Sequence, residues 1–115
     1  MIATDIFDPK GGHKHVWDRL PASVKIAIEV YQNMLQREVD KRNSGKFVPT
    51  SGFRSDAGNR RFGGVVDSLH LWGAARDFFP VDSDNRLPPA VCSTLFRVRR
   101  SPADGPFLCW HVEVI

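Results

Sequence analysis

The chain has 115 residues, room for one hydrophobic core and not for two. Hydrophobic residues make up 42% and charged residues 25%, an ordinary globular balance. The net charge of +3 is spread over pairs such as Lys41-Arg42, Arg60-Arg61 and Arg99-Arg100, so no basic run marks a nucleic-acid partner. The first twenty residues carry Asp5, Asp8, Pro9, Gly11 and Gly12, which exclude a signal peptide and predict an irregular segment over 1–20. No stretch reaches the roughly 18 apolar residues of a membrane span. Pro21 can open a helix. From Ala22 to about Lys41, Val24, Ala27, Ile28, Tyr31, Met34, Leu35 and Val39 form one helical stripe that reads as core, with Gln32 and Gln36 off it. Asn43-Ser44-Gly45 ends that helix.

Residues 46–53, KFVPTSGF, read as a short strand leading into a turn. Residues 54–67 read as an ordered loop with a helical turn near Ala57–Arg61. Residues 73–81, GAARDFFPV, predict a buried strand, and Ser83-Asp84-Asn85 a turn. Pro88-Pro89 can open a second helix from Ala90 to about Arg97, with Val91, Leu95 and Phe96 as its apolar side. Residues 107–115, FLCWHVEVI, predict a terminal strand. The chain is thus one domain, 1–115. Cys92 and Cys109 form neither a CxxC pair nor a disulfide framework and are expected as thiols.

Chemistry concentrates in SLHLWGAARDF (68–78) and WHVEV (110–114). His70 and Asp77 are ordinary metal ligands, and the small residues 73–75 between them allow close backbone approach. Taken alone, that pair arises by chance in many proteins. On a strand, His111 and Glu113 face one side, which suits a hydrolytic zinc site and equally a structural histidine beside a rim carboxylate. Arg54, after Gly52 and Phe53, offers a fork for a carboxylate or developing oxyanion, or is a plain surface arginine. Asp67 either orients His70 from behind or is a turn residue. His13 and His15 form an HKH pair whose ordinary fate is exposure without function. Trp72 walls the site or packs in the core, and Trp17 packs. Cys109 shares the strand face of His111 and is a remote extra ligand.

SGFRS (51–55), DAGNRRFGG (56–64), SLHLWGAARDF and a terminal WHVEV together resemble the M15 family of zinc D-Ala-D-Ala carboxypeptidases and peptidoglycan peptidases. Ser68, His70, Gly73, Ala75 and Asp77 fill the family's SxHxxGxAxD signature, and Arg54 lies at a family-typical spacing before His70. The resemblance runs from about residue 47 to the C-terminus. It implies an α+β fold like that of hedgehog and D-Ala-D-Ala peptidases, with helices on an antiparallel sheet and Zn2+ in a groove across it. It implies that His70, Asp77 and His111 hold the zinc, that Arg54 contacts the substrate carboxylate or polarised carbonyl, and that Ser68 positions substrate. Implied substrates are peptidoglycan stem or cross-bridge peptides, cut by a carboxypeptidase or an endopeptidase.

Many family members carry a catalytic glutamate as ExxWH, and here that position is Leu108. Glu113 is the first candidate for the base, and Asp104 is the other nearby acid. The expected protein is a monomer made in the cytoplasm and acting at the cell wall after release, as a phage or prophage lysis or tail protein. A non-catalytic zinc-containing wall- or partner-binding module and a phage structural protein are the alternatives, and the missing ExxWH glutamate favours the first of these.

Overall fold

The computed structural model describes residues 14–53, 69–100 and 109–115. Within the segment expected to be irregular, Lys14–Arg19 form a six-residue helix, α1. Its cause is tertiary rather than periodic. Trp17 is buried and packs edge-on against Phe53, with ring centroids 5.8 Å apart, in a cluster with Ile28. Isolated helices this short do not hold in water, so the packing of one large ring decides the matter.

The long helix α2 spans Ala22–Asn43. Pro21 precedes it and its carbonyl accepts from the amides of Val24 and Lys25. Ser44 closes it in the left-handed conformation at φ 52°, followed by Gly45 at φ 69°. Its seam is rotated from the predicted stripe. The buried residues are Ile28, Gln32, Leu35, Glu38 and Val39, whereas Val24, Ala27, Tyr31 and Met34 are exposed. Gln32 and Glu38 face inward because polar groups await them there. Gln32 Nε2 donates to the carbonyls of Gly73 and Ala75, and Glu38 Oε2 accepts from the Cys92 amide at 2.7 Å.

Four strands form one antiparallel sheet in the order β1-β2-β4-β3: β1 Phe47–Ser51, β2 Ala75–Pro80, β3 Phe96–Arg100 and β4 Trp110–Val114. Pro49 sits in β1, an edge strand, where its missing N–H costs least. Leu35 and Val39 of α2 pack with Phe47, Phe78, Phe96 and Val112 on one face of the sheet. Alternation therefore turns Asp77, His111, Glu113, Arg97 and Arg99 to the other face.

The predicted helix at Ala90–Arg97 does not form. Asn43 takes both backbone groups of Ala90, at 2.9 Å to its carbonyl and 2.8 Å to its amide, and Glu38 takes the Cys92 amide. A turn follows, with the amides of Leu95 and Phe96 on the Cys92 carbonyl. Phe96-Arg97-Val98-Arg99 then alternates in and out as β3, pairing Arg97 with Glu113 and Arg99 with His111. Side chains of α2 capture the donors that a helix start would leave unpaired, and the period of two takes over. The predicted turn at Ser83–Asn85 is present, with the Asn85 amide on the Asp82 carbonyl at 3.0 Å. The predicted turn near Ala57–Arg61 lies outside the described residues.

Candidate metal centre

His70 stands on a single 3₁₀ turn, Leu69–Trp72. Gly73 reverses the chain into β2 at φ +71°, with its amide on the His70 carbonyl at 3.2 Å. A Cβ added at Gly73 would lie 2.6 Å from Ile28 Cγ2, so this reversal both needs positive φ and presses on α2. Two constraints thus meet at Gly73, and they place the His70 ring beside β2.

Asp77 lies mid-strand in β2, opposite Ser51 of β1 on one side and His111 of β4 on the other. Asp77 Oδ1 is 3.1 Å from His70 Nε2 and 3.2 Å from His111 Nδ1. The two rings stand edge-on with centroids 5.0 Å apart. His70 and Asp77 are buried and His111 is partly open. The three donor atoms lie within 4.8 Å of one another.

The far sides of both rings are occupied. His70 Nδ1 meets the Gly52 carbonyl at 2.7 Å, and a carbonyl only accepts, so Nδ1 carries the proton. His111 Nε2 meets Glu113 Oε1 at 2.7 Å. In the neutral rings the near-side nitrogens, His70 Nε2 and His111 Nδ1, then present lone pairs toward Asp77 Oδ1. Electron-rich atoms facing each other this way require a cation between them, a proton or a metal. Tetrahedral zinc with bonds of about 2.0–2.1 Å separates its ligand atoms by about 3.3 Å. The spacings of 3.1 and 3.2 Å from Asp77 Oδ1 to the two rings are compatible with that geometry. A carbonyl and a carboxylate behind metal-binding histidines are the usual way to orient such rings, and His70 and His111 have one each.

Electrostatics agree with the donor set. Burial opposes charge on Asp77, but the adjacent His70, and hydrogen bonds from His111 and His70 when a proton sits on their near-side nitrogens, hold its carboxyl well below the usual carboxylate range. For His111, burial works against the imidazolium, yet hydrogen bonding and charge from Asp77 and Glu113 push its pKa up.

The structure brings together four expected residues, His70, Asp77, His111 and Glu113. Arg54, Asp67, Ser68, Asp104, Leu108, His13 and the His15 side chain lie outside the described residues. Cys109 is buried but points its sulfur at Thr50 Oγ1, 3.4 Å away, and is not in the donor group. Cys92 and Cys109 are not joined to one another. Trp72 is 69% exposed, which removes it from the core. Gln32, read from the sequence as lying off the core stripe, ties the carbonyls of Gly73 and Ala75 between His70 and Asp77, and its Oε1 accepts from the buried Arg76 at 2.9 Å. No local signal marks that role; only the fold puts Gln32 beside residues 73–76.

A family model described as Peptidase M15 matches residues 16–95, more than half of the chain. The chain belongs to the peptidase M15 family. The matched segment of the M15 domain holds His70 and Asp77 and stops short of β3 and β4, so His111 joins them on geometry rather than on the match. No curated protein and no solved structure matches the chain. Among the described residues no helix is long and apolar enough to cross a membrane.

Proposed function

We propose that this M15 domain is a zinc-dependent peptidase that hydrolyses peptidoglycan stem or cross-bridge peptides. One observation carries the metal reading: His70, Asp77 and His111 converge from three separate elements, with donor atoms within 4.8 Å of one another, in a chain of a peptidase family. The peptidoglycan substrate rests on the likeness of the Arg54, Ser68 and His70–Asp77 motifs. A zinc ion held at this centre would supply Lewis-acid polarisation of the scissile carbonyl and a more acidic water, with a pKa toward about 7. His70, Asp77 and His111 would hold it, Arg54 would steady a carboxylate or oxyanion, and Ser68 would position the peptide.

The geometry favours a different role for Glu113 than the base expected from sequence. Its Oε1 already receives the outer nitrogen of His111, so it orients that ring and fixes its tautomer. Asp104 is then the other acid the sequence offers as base. The same observation gives weight to the non-catalytic reading, in which zinc serves structure and the site only holds a peptide. Purified protein, loaded with zinc and incubated with purified peptidoglycan, separates the two. Release of new amino termini, abolished by chelator, restored by zinc and absent in His70→Ala, is the result expected of the peptidase. Zinc bound at one per chain without release of any amino terminus would leave the binding module standing.

A further inference from the structure

Beside the metal centre, β3 carries two arginines whose side chains make no hydrogen bond among the described residues. Pairing with β4 sets Arg97 opposite Glu113 and Arg99 opposite His111, and alternation turns both to the face that holds Asp77 and His111. Arg97 Nη1 is 3.9 Å and Arg99 Nη2 is 3.8 Å from the same oxygen, Glu113 Oε2. Hydrogen bonds to a carboxylate close to about 2.7–2.9 Å, so neither guanidinium is bonded to Glu113. Among the described residues these are the ion pairs the two arginines make. Two full positive charges therefore face one carboxylate, and the other oxygen of that carboxylate is engaged by His111. Both side chains are about half exposed, at 49% and 56%, and reachable by a ligand lying over the site.

We infer that Arg97 and Arg99 form a carboxylate-binding subsite on the β3 side of the metal centre, which selects peptides bearing a free carboxylate close to the scissile bond. The inference rests on the peptidase reading above and adds which part of the substrate lies toward β3. A planar guanidinium offers paired donors in the geometry a carboxylate accepts, and the surplus positive charge beside Glu113 is what such a group neutralises. The carboxylate is either the chain terminus or an acidic side chain next to the cleavage point.

Three N-acetylated peptides distinguish the possibilities: one ending in D-Ala-D-Ala with a free terminus, the same peptide as its C-terminal amide, and that amide with a glutamate placed before the two alanines. Binding to the zinc-loaded full chain is measured by calorimetry for wild type, Arg97→Ala, Arg99→Ala and the double variant, so that the readout does not depend on turnover. The wild type is expected to bind one of the two acidic peptides about tenfold or more tighter than the neutral amide. Which of the two is preferred tells terminus from side chain. The double variant is expected to lose that preference while its affinity for the neutral amide stays unchanged. Equal wild-type affinity for all three peptides, no binding of any, or a double variant that weakens all three equally overturns the subsite. The last of these would mean that the arginines serve only to hold Glu113. Zinc content and peptidoglycan hydrolysis of the same wild-type sample report separately on the peptidase reading, which survives or falls independently of these ratios.

Discussion

Asp77 Oδ1 stands between His70 Nε2 and His111 Nδ1, so each of the three residues is expected to be indispensable to the metal. His70→Ala, Asp77→Ala and His111→Ala should each weaken zinc binding by more than about 100-fold, beyond the 10–100-fold typical of outer partners. Elemental analysis reads this directly as about one zinc per chain in wild type, and full occupancy in His111→Ala would remove that residue from the ligand set. Glu113 gives a sharper contrast. Glu113→Gln keeps an acceptor for His111 Nε2 and should bind zinc within a few-fold of wild type, whereas Glu113→Ala should lose about 10–100-fold. A Gln variant with intact zinc affinity but a kcat lower by about 100-fold or more would restore Glu113 as the base. The two shifted groups also predict a pH optimum of stability for the metal-free protein. The lowered carboxyl of Asp77 contributes stability above its unfolded value of about 3.9, lost as pH falls through its folded value. The raised imidazole of His111 contributes stability below its unfolded value of about 6.5, lost as pH rises through its folded value. Melting of chelator-treated protein should therefore peak between about pH 4 and 6.5. A melting temperature that climbed steadily from pH 5 to 8 would contradict the pairing of His111 with Asp77 and Glu113.

Between elements, the site depends on how the turn before β2 is pressed against α2. Gly73 provides the positive φ and the absent Cβ, and Gln32 of α2 binds the carbonyls on either side of Ala74. Gly73→Ala is expected to lower the unfolding free energy by roughly 1–3 kcal/mol, from backbone strain and the clash with Ile28. Zinc affinity should fall with it, since the turn carries His70. Denaturant midpoints of the two proteins check the claim, and an unchanged midpoint would show that α2 yields to the methyl group at no cost. The strand β3 illustrates the opposite relation, in which α2 dictates a neighbour's secondary structure. Asn43 and Glu38 bind the backbone of residues 90–92 where the two prolines would otherwise start a helix, and the chain extends instead.

Across the whole molecule, the metal would join the 3₁₀ turn, β2 and β4, elements that span residues 69 to 114. Binding to the folded state alone stabilises by RT ln(1 + [L]/Kd), about 4 kcal/mol when zinc exceeds its dissociation constant 1,000-fold. Calorimetry should show a melting temperature raised by several degrees on adding zinc and lowered again by chelator. Identical melting curves with and without zinc would indicate that the site does not load.

The sequence by itself determined the long helix and three of the four described strands, and its resemblance to the M15 family pointed to His70, Asp77 and His111. Those features are local: a helical stripe, alternation in WHVEV, and a signature whose small residues sit between His70 and Asp77. Only the tertiary structure decided the inward face of α2, the helix at Lys14–Arg19, the extended form of residues 96–100 and the place of Arg97 and Arg99 beside Glu113. Each of these rests on a partner far along the chain, Phe53 for Trp17, the carbonyls of Gly73 and Ala75 for Gln32, Asn43 for Ala90, β4 for β3. Local propensity is worth a few tenths of a kcal/mol per residue and gives way wherever a buried polar group or a large ring finds its partner.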